Sequence, residues 1–180
     1  LLCQVSGHNF YFGRVSFYMP RVLFVCTGNI FRSLTAEYAL RHVLGERHGI
    51  RVASAGTEDF PHVVSPYVRD YLLARGLDVR RHSRRTLTAP MLQEPGPVIA
   101  MSTEHRLFLA ECFNLLDVPL FTEACGSPSE PLPDVAEAVQ DYQTNPAAVG
   151  AHVRRIIDRI IELTPQLANR LLQQEQLLTV

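Results

Sequence analysis

Hydrophobic and polar positions alternate along this chain in blocks of two kinds: short apolar runs, and longer stretches with helical spacing. The first run, Val22 to Val25, is β-branched-rich and bounded by Arg21 and Cys26, the pattern of a strand buried on both faces. A short loop with Gly28 and Asn29 follows. Ala36, Leu40, Val43 and Leu44 then make one apolar helical stripe that stops before Gly49. Ile50 to Ala55 reads as a second strand ending at Gly56, and Thr57 to Val64 as a loop. Ser65-Pro66 supplies an N-cap and a proline at the first helical position, Val68, Tyr71 and Leu72 a buried face, and Gly76 a stop.

The remaining elements follow the same logic. A short helix is expected over Thr88–Leu92, before Pro95-Gly96-Pro97, and Val98 to Met101 is a third strand. Ser102 or Thr103 caps a helix reaching about Cys112, and Val118 to Phe121 is a short fourth strand. A Gly-, Ser- and Pro-rich loop spans Ala124 to Pro133. The last helix opens at Asn145-Pro146 with Val149, Val153, Ile156, Ile157 and Ile160 on one face. Pro165 is expected to kink or restart it, leaving Gln166–Val180 as a packed extra helix or a frayed tail. Four strands alternating with helices define an α/β fold: a parallel sheet with right-handed crossovers and helices on both faces. Ligands of such folds bind at the carboxyl edge of the strands, where the loop after the first strand falls.

That loop carries the candidate chemistry. A strand that empties into a loop and then a helix N-terminus gathers backbone N–H donors into an anion site. Cys26 opens the loop and Arg32 closes it, so a thiol and a planar guanidinium fork can address the same bound oxyanion. Ser33 can hydrogen-bond the sulfur. Donor dipoles and a guanidinium favour the ionised, nucleophilic sulfur, so nucleophile and transition-state clamp occupy one loop.

Size and composition narrow the class. The chain of 180 residues, 47% hydrophobic and 19% charged, suits one domain with its own core. A net charge of −1 speaks against a nucleic-acid partner. Arg80, Arg81, Arg84 and Arg85 crowd around His82, and the expectation there is a solvated charged face. Four cysteines (Cys3, Cys26, Cys112, Cys125) form no C-x-x-C pair and no disulfide framework. There is no membrane-length apolar run and no signal-peptide pattern, so a reducing cytoplasmic setting is expected, and no membrane partner. The histidines show no metal-ligand spacing, and neither metal nor cofactor is expected. Leu1–Tyr18 lacks a clean period and reads as an upstream extension (residues 1–18), with the domain over residues 19–180.

The run Val25-Cys26-Thr27-Gly28-Asn29-Ile30-Phe31-Arg32-Ser33, with Ala36-Glu37 after it, resembles the active-site loop of the low-molecular-weight protein tyrosine phosphatases. Similarity continues at Ser54-Ala55-Gly56-Thr57, His82-Ser83-Arg84, Val98-Ile99-Ala100-Met101 and Pro133-Asp134, covering about Pro20 to Leu163. The resemblance implies a flavodoxin-like sheet of order 2-1-3-4 and a monomer or weak dimer acting on phosphotyrosine proteins or small aryl phosphates. It implies Cys26 as nucleophile, Arg32 as phosphate clamp, and the loop residues Thr27, Gly28, Asn29, Ile30, Phe31 and Ser33 as the phosphate cradle. It places the general acid on Asp134, with Asp141 in reserve, and an aromatic of the substrate slot on Phe60.

Two departures from the family pattern stand out. Phe31 occupies the position of a second loop cysteine, which removes the protective disulfide. Val135 and Ala136 follow the acid where proline and aromatics are usual, which thins the expected slot wall. Two other readings remain: an arsenate reductase, for which Cys112 is the available relay thiol, and a phosphate- or phosphoprotein-binding module without turnover.

Overall fold

The computed structural model describes residues 21–45, 49–59, 61 and 63–178. The suspected extension, residues 1–18, and Phe60 lie outside the described residues. β1 (Arg21–Cys26) is buried along its whole length and forms the centre of a parallel sheet of order β2-β1-β3, with β2 at Arg51–Gly56 and β3 at Val98–Ala100. The register pairs Arg21 with Arg51 and Cys26 with Gly56, and Leu23 with Val98 on the other side. Alternation along β1 divides the core. Val22, Phe24 and Cys26 join one buried cluster with Leu40, Ile157 and Ile160, while Leu23 and Val25 join another with Leu109 and Val118. Both faces of the sheet are therefore covered, as a fully apolar central strand requires.

The expected fourth strand is reduced to a single bridge. Ala100 N–H donates to Pro119 O at 2.9 Å and Ala100 bridges Leu120, so the order 2-1-3-4 survives only as one residue at the edge. Two local facts end it: Pro119 has no N–H to extend a ladder, and the Leu120 N–H is taken by the Glu123 carboxylate at 2.7 Å. Phe121–Ala124 then turn into the short helix α5.

The helices largely begin where their caps place them. α1 spans Arg32–Leu44 and buries Ala36, Leu40 and Leu44, but Val43 is 43% exposed and is not part of the stripe. α2 (Pro66–Ala74) starts at Ser65, whose hydroxyl accepts the Val68 N–H, and ends before Gly76 at φ +80°. α3 spans Ala89–Gln93, α4 Thr103–Phe113, and α6 Val135–Ala138. α7 is continuous from Pro146 to Leu178, so Pro165 does not restart it. Pro165 faces solvent while Leu163, Thr164, Leu167 and Ala168 on either side are buried, so core packing holds both halves in one helix. Among the described residues, no helix is long and apolar enough to cross a membrane.

Candidate active site

The loop between β1 and α1 is curled, and its curl depends on Asn29. Asn29 is fully buried at φ +55°, a left-handed conformation that asparagine tolerates better than most residues. Its backbone N–H donates to Cys26 Sγ at 3.3 Å. Its side-chain amide donates to Ser33 Oγ at 3.1 Å and Ser54 Oγ at 2.6 Å, and its Oδ1 accepts the Arg85 N–H at 2.9 Å. Ser33 Oγ lies 2.9 Å from Cys26 Sγ. One buried side chain thereby ties the loop to β2, to the start of α1 and to the 80s segment.

Behind Asn29, the Ser54 hydroxyl donates to Glu37, a carboxylate only 1% exposed. Arg41 Nη2 and Arg85 Nη2 each meet a different oxygen of Glu37 at 2.6 Å, the charge pairing that such burial demands. Gly56 is required by close approach: a Cβ there would stand 2.6 Å from Thr27 O and 3.1 Å from Asn29 N.

The 80s segment corrects one expectation. Arg80 and Arg81 are solvated, but His82 Nε2 bonds Asn29 O at 2.9 Å, and Arg84 Nε donates to Gly28 O at 3.1 Å. Arg84 also donates to Glu58 O. Part of that charged stretch braces the loop from outside rather than facing water.

Arg32 is turned inward and is 1% exposed. Nη1 donates to Leu132 O at 3.0 Å, and Nη2 donates to Thr27 Oγ1 at 3.0 Å and to Asp134 Oδ2 at 2.5 Å. Asp134 is the N-cap of α6, its Oδ1 accepting the Val135 N–H at 2.7 Å, and its side chain is 35% exposed. The loop carrying it is pinned twice: Leu132 N–H donates to Met101 O at 2.9 Å, and His152 Nε2 bonds Pro133 O at 3.1 Å. Asp141, the reserve acid, is exposed and engaged in a turn with Thr144 and Asn145, outside the cavity.

His105 also belongs to this site, though nothing local in Ser102–His105 announces it. It is 2% exposed, and burial, with the nearby Arg32 charge, holds its pKa down to about 3. The Ser102 N–H donates to Nδ1 at 3.1 Å, so the ring proton resides on Nε2, 3.0 Å from Thr27 Oγ1. Thr27 Oγ1 thus accepts from both His105 and Arg32, leaving its own hydroxyl proton to donate into the cavity.

Cys26, Thr27, Gly28, Ile30, Arg32 and Asp134 line a single cavity of about 580 Å3. Its apolar wall comes from Phe31, Val68, Val135, Ala136, Tyr142, Val149 and Val153. The thinning expected from Val135 and Ala136 is thus offset by Tyr142 and by α7, which the fold brings from elsewhere in the chain. A thiol, a buried cation and a partly exposed carboxyl on one cavity can together bind a tetrahedral oxyanion, attack it and protonate a departing oxygen. Cys112 is exposed on α4 and Cys125 is buried in the core, where burial pushes its thiol up to about 12; neither lines the cavity. Among the described residues no group of three or more His, Cys, Asp or Glu could hold a metal ion.

A parallel α/β sheet whose first strand empties into a curled Cys–Arg loop at its carboxyl edge defines a class, and a family model agrees with it. The model described as low molecular weight phosphotyrosine protein phosphatase matches residues 21–177, and the chain belongs to that family. Among its relatives, the low molecular weight protein-tyrosine-phosphatase Etp of Escherichia coli (strain K12) is 36% identical over 85 residues, 47% of this chain. That match spans about half of the relative's length, 55%. The protein-arginine-phosphatase of Bacillus subtilis (strain 168) is 28% identical over 156 residues, 83% of this chain and 95% of the relative. The fold is shared with the YwlE arginine phosphatase from Geobacillus stearothermophilus (TM-score 0.71, 24% identity, 88% of this chain and 96% of that one). It is shared also with Vibrio vulnificus Wzb in complex with benzylphosphonate (TM-score 0.68, 20% identity, 84% and 99%).

Proposed function

We propose that this chain hydrolyses phosphotyrosine in proteins, and small aryl phosphates, through a cysteinyl-phosphate intermediate. The observation that carries the reading is the convergence of Cys26, an inward-facing Arg32 and Asp134 on one largely apolar cavity. The phosphate displaces Asp134 from Arg32 Nη2, and the guanidinium and the loop amides from Thr27 to Ser33 take its equatorial oxygens. The Cys26 thiolate forms an S–P bond as the P–O bond to the phenol breaks, and Asp134 gives that oxygen its proton. Asp134 then takes a proton from water, the water oxygen attacks phosphorus, the S–P bond breaks, and phosphate leaves with the thiolate restored. A thiolate catalyst of this kind works in a reducing compartment, which supports the cytoplasmic setting.

Hydrolysis of an aryl phosphate by the parent, Cys26→Ser and Asp134→Ala proteins tests it. The expected result is no turnover for the first and a loss on the order of 10²–10⁴ in kcat for the second. Unchanged rates in both refute the assignment, and binding of phosphotyrosine peptide without turnover by the parent favours the non-catalytic module. A second reading, hydrolysis of phosphoarginine, is favoured by the similarity to the Bacillus subtilis protein-arginine-phosphatase over 83% of this chain and by Glu58 at the cavity, a carboxylate suited to a guanidino group. Matched phosphotyrosine and phosphoarginine peptides decide between the two by their kcat/KM ratio.

A further inference from the structure

A second cavity, of about 440 Å3, shares no lining residue with the catalytic one. Four of its lining residues are arginines, Arg21, Arg41, Arg51 and Arg85, and one is a carboxylate, Glu94. Arg21 and Arg51 open β1 and β2 side by side, about 16 Å along the strand from Cys26. The four guanidiniums share two carboxylates. Arg21 and Arg51 both pair with Glu94, while Arg41 and Arg85 both pair with Glu37. Two positive charges are therefore left over within one concavity.

The pairing is also geometrically incomplete. Arg21 is 97% buried by its 3% exposure, yet its Nε has no hydrogen-bond partner among the described residues, and its nearest carboxylate oxygen, on Glu94, is 3.8 Å away. The buried Nε of Arg85 is likewise without a partner. Burial and the neighbouring Arg51 charge both push the Arg21 pKa down, as expected where like charges face each other without enough counter-charge. Buried guanidinium donors left empty are a cost to the folded chain that an oxyanion would remove. Planar forks in two pairs suit two adjacent phosphate groups, and Met91 and Val52 add an apolar side to the cavity.

We propose that this cavity is a second anion site, built for a diphosphate group, either inorganic or carried by a nucleotide. The bound group would lie between the Arg21–Arg51 and Arg41–Arg85 pairs and displace Glu94 from the first. It would also compete with Glu37 for Arg85, and so would touch the hydrogen-bonded chain that runs through Ser54 and Asn29 to the nucleophile loop. The proposal does not depend on the catalytic reading, since none of its residues is assigned to the reaction.

Calorimetric titration with pyrophosphate and with ADP tests it, on protein whose Cys26 is capped by iodoacetate so that the catalytic cavity does not compete. The parent is expected to show saturable 1:1 binding that weakens with salt. Arg51→Gln, and Arg21→Gln with it, should each weaken binding by about tenfold or more. Glu94→Gln removes the competing carboxylate and should tighten binding several-fold, a gain that a misfolded protein cannot imitate. Tighter binding of ADP than of pyrophosphate identifies the nucleotide as the source of the diphosphate, and equal or weaker binding the inorganic ion. Absence of binding to the parent at millimolar concentrations, or equal affinity in the parent, Arg51→Gln and Glu94→Gln proteins, overturns the proposal.

Discussion

Replacing His105 by glutamine tests the description of the buried imidazole that holds Thr27 in the Cys26–Arg32 loop. His105 is 2% exposed, its Nδ1 accepts the Ser102 N–H, and its pKa is held down to about 3 in the folded chain. In the unfolded chain the imidazole titrates near the ordinary value of about 6.5. Below that pH the unfolded state binds a proton that the folded state refuses, so stability attributable to His105 is present above pH 6.5 and is lost as pH falls toward 3. The slope is about 1.4 kcal/mol per pH unit, or about 2 kcal/mol between pH 6.5 and pH 5. Urea unfolding of parent and His105→Gln proteins at pH 7.5 and pH 5 measures it. The variant loses packing at both values, so only the difference between the two pH values matters. The parent should weaken by about 2 kcal/mol more than the variant over this interval. Identical pH dependence in the two proteins would show that the ring is not buried in its neutral form, and the account of the Thr27 hydroxyl would fall with it.

Three other outcomes follow from contacts around the cavity and core. Gly56→Ala places a Cβ against Thr27 O and Asn29 N and should displace the loop, lowering kcat on an aryl phosphate by about tenfold to a hundredfold with little change in α-helical circular dichroism. Tyr142→Ala removes one aromatic ring from the cavity wall and should raise KM for aryl phosphates by about two- to tenfold, matching the roughly 0.5–1.5 kcal/mol of an aromatic contact; an unchanged KM shows that the ring does not meet substrate. Leu167→Ala, in the part of α7 beyond Pro165, should destabilise the fold by about 2–5 kcal/mol in denaturant titration, whereas a frayed tail would give no loss.

The parts legible in the sequence are those set by neighbours a few residues apart. Val22–Val25 had to be a buried strand because no polar position interrupts it, and Ser65-Pro66 had to open a helix because both residues serve its first turn. The Cys26-to-Arg32 spacing was readable because one loop holds both groups. Where local pattern misled, distant packing had overruled it. Pro165 stays within α7 because buried residues on either side hold the helix to the core, and the Arg84 Nε and the Arg85 backbone N–H turn to the Cys26–Arg32 loop, where Gly28 O and Asn29 Oδ1 accept them.

From the amino-acid order alone come the α/β class, the position of the anion loop and the chemistry its residue types permit. Resemblance pointed to Asp134, but which atoms of the distant groups meet the loop is determined by the tertiary structure. Arg32 meets Leu132 and Asp134 across 100 and 102 positions, Thr27 meets His105 across 78, and Asn29 meets Ser54 across 25. Local order fixes backbone conformation through sterics and periodicity. Contacts at such separations exist only once the two faces of the sheet have been buried, and no local pattern in the chain encodes them.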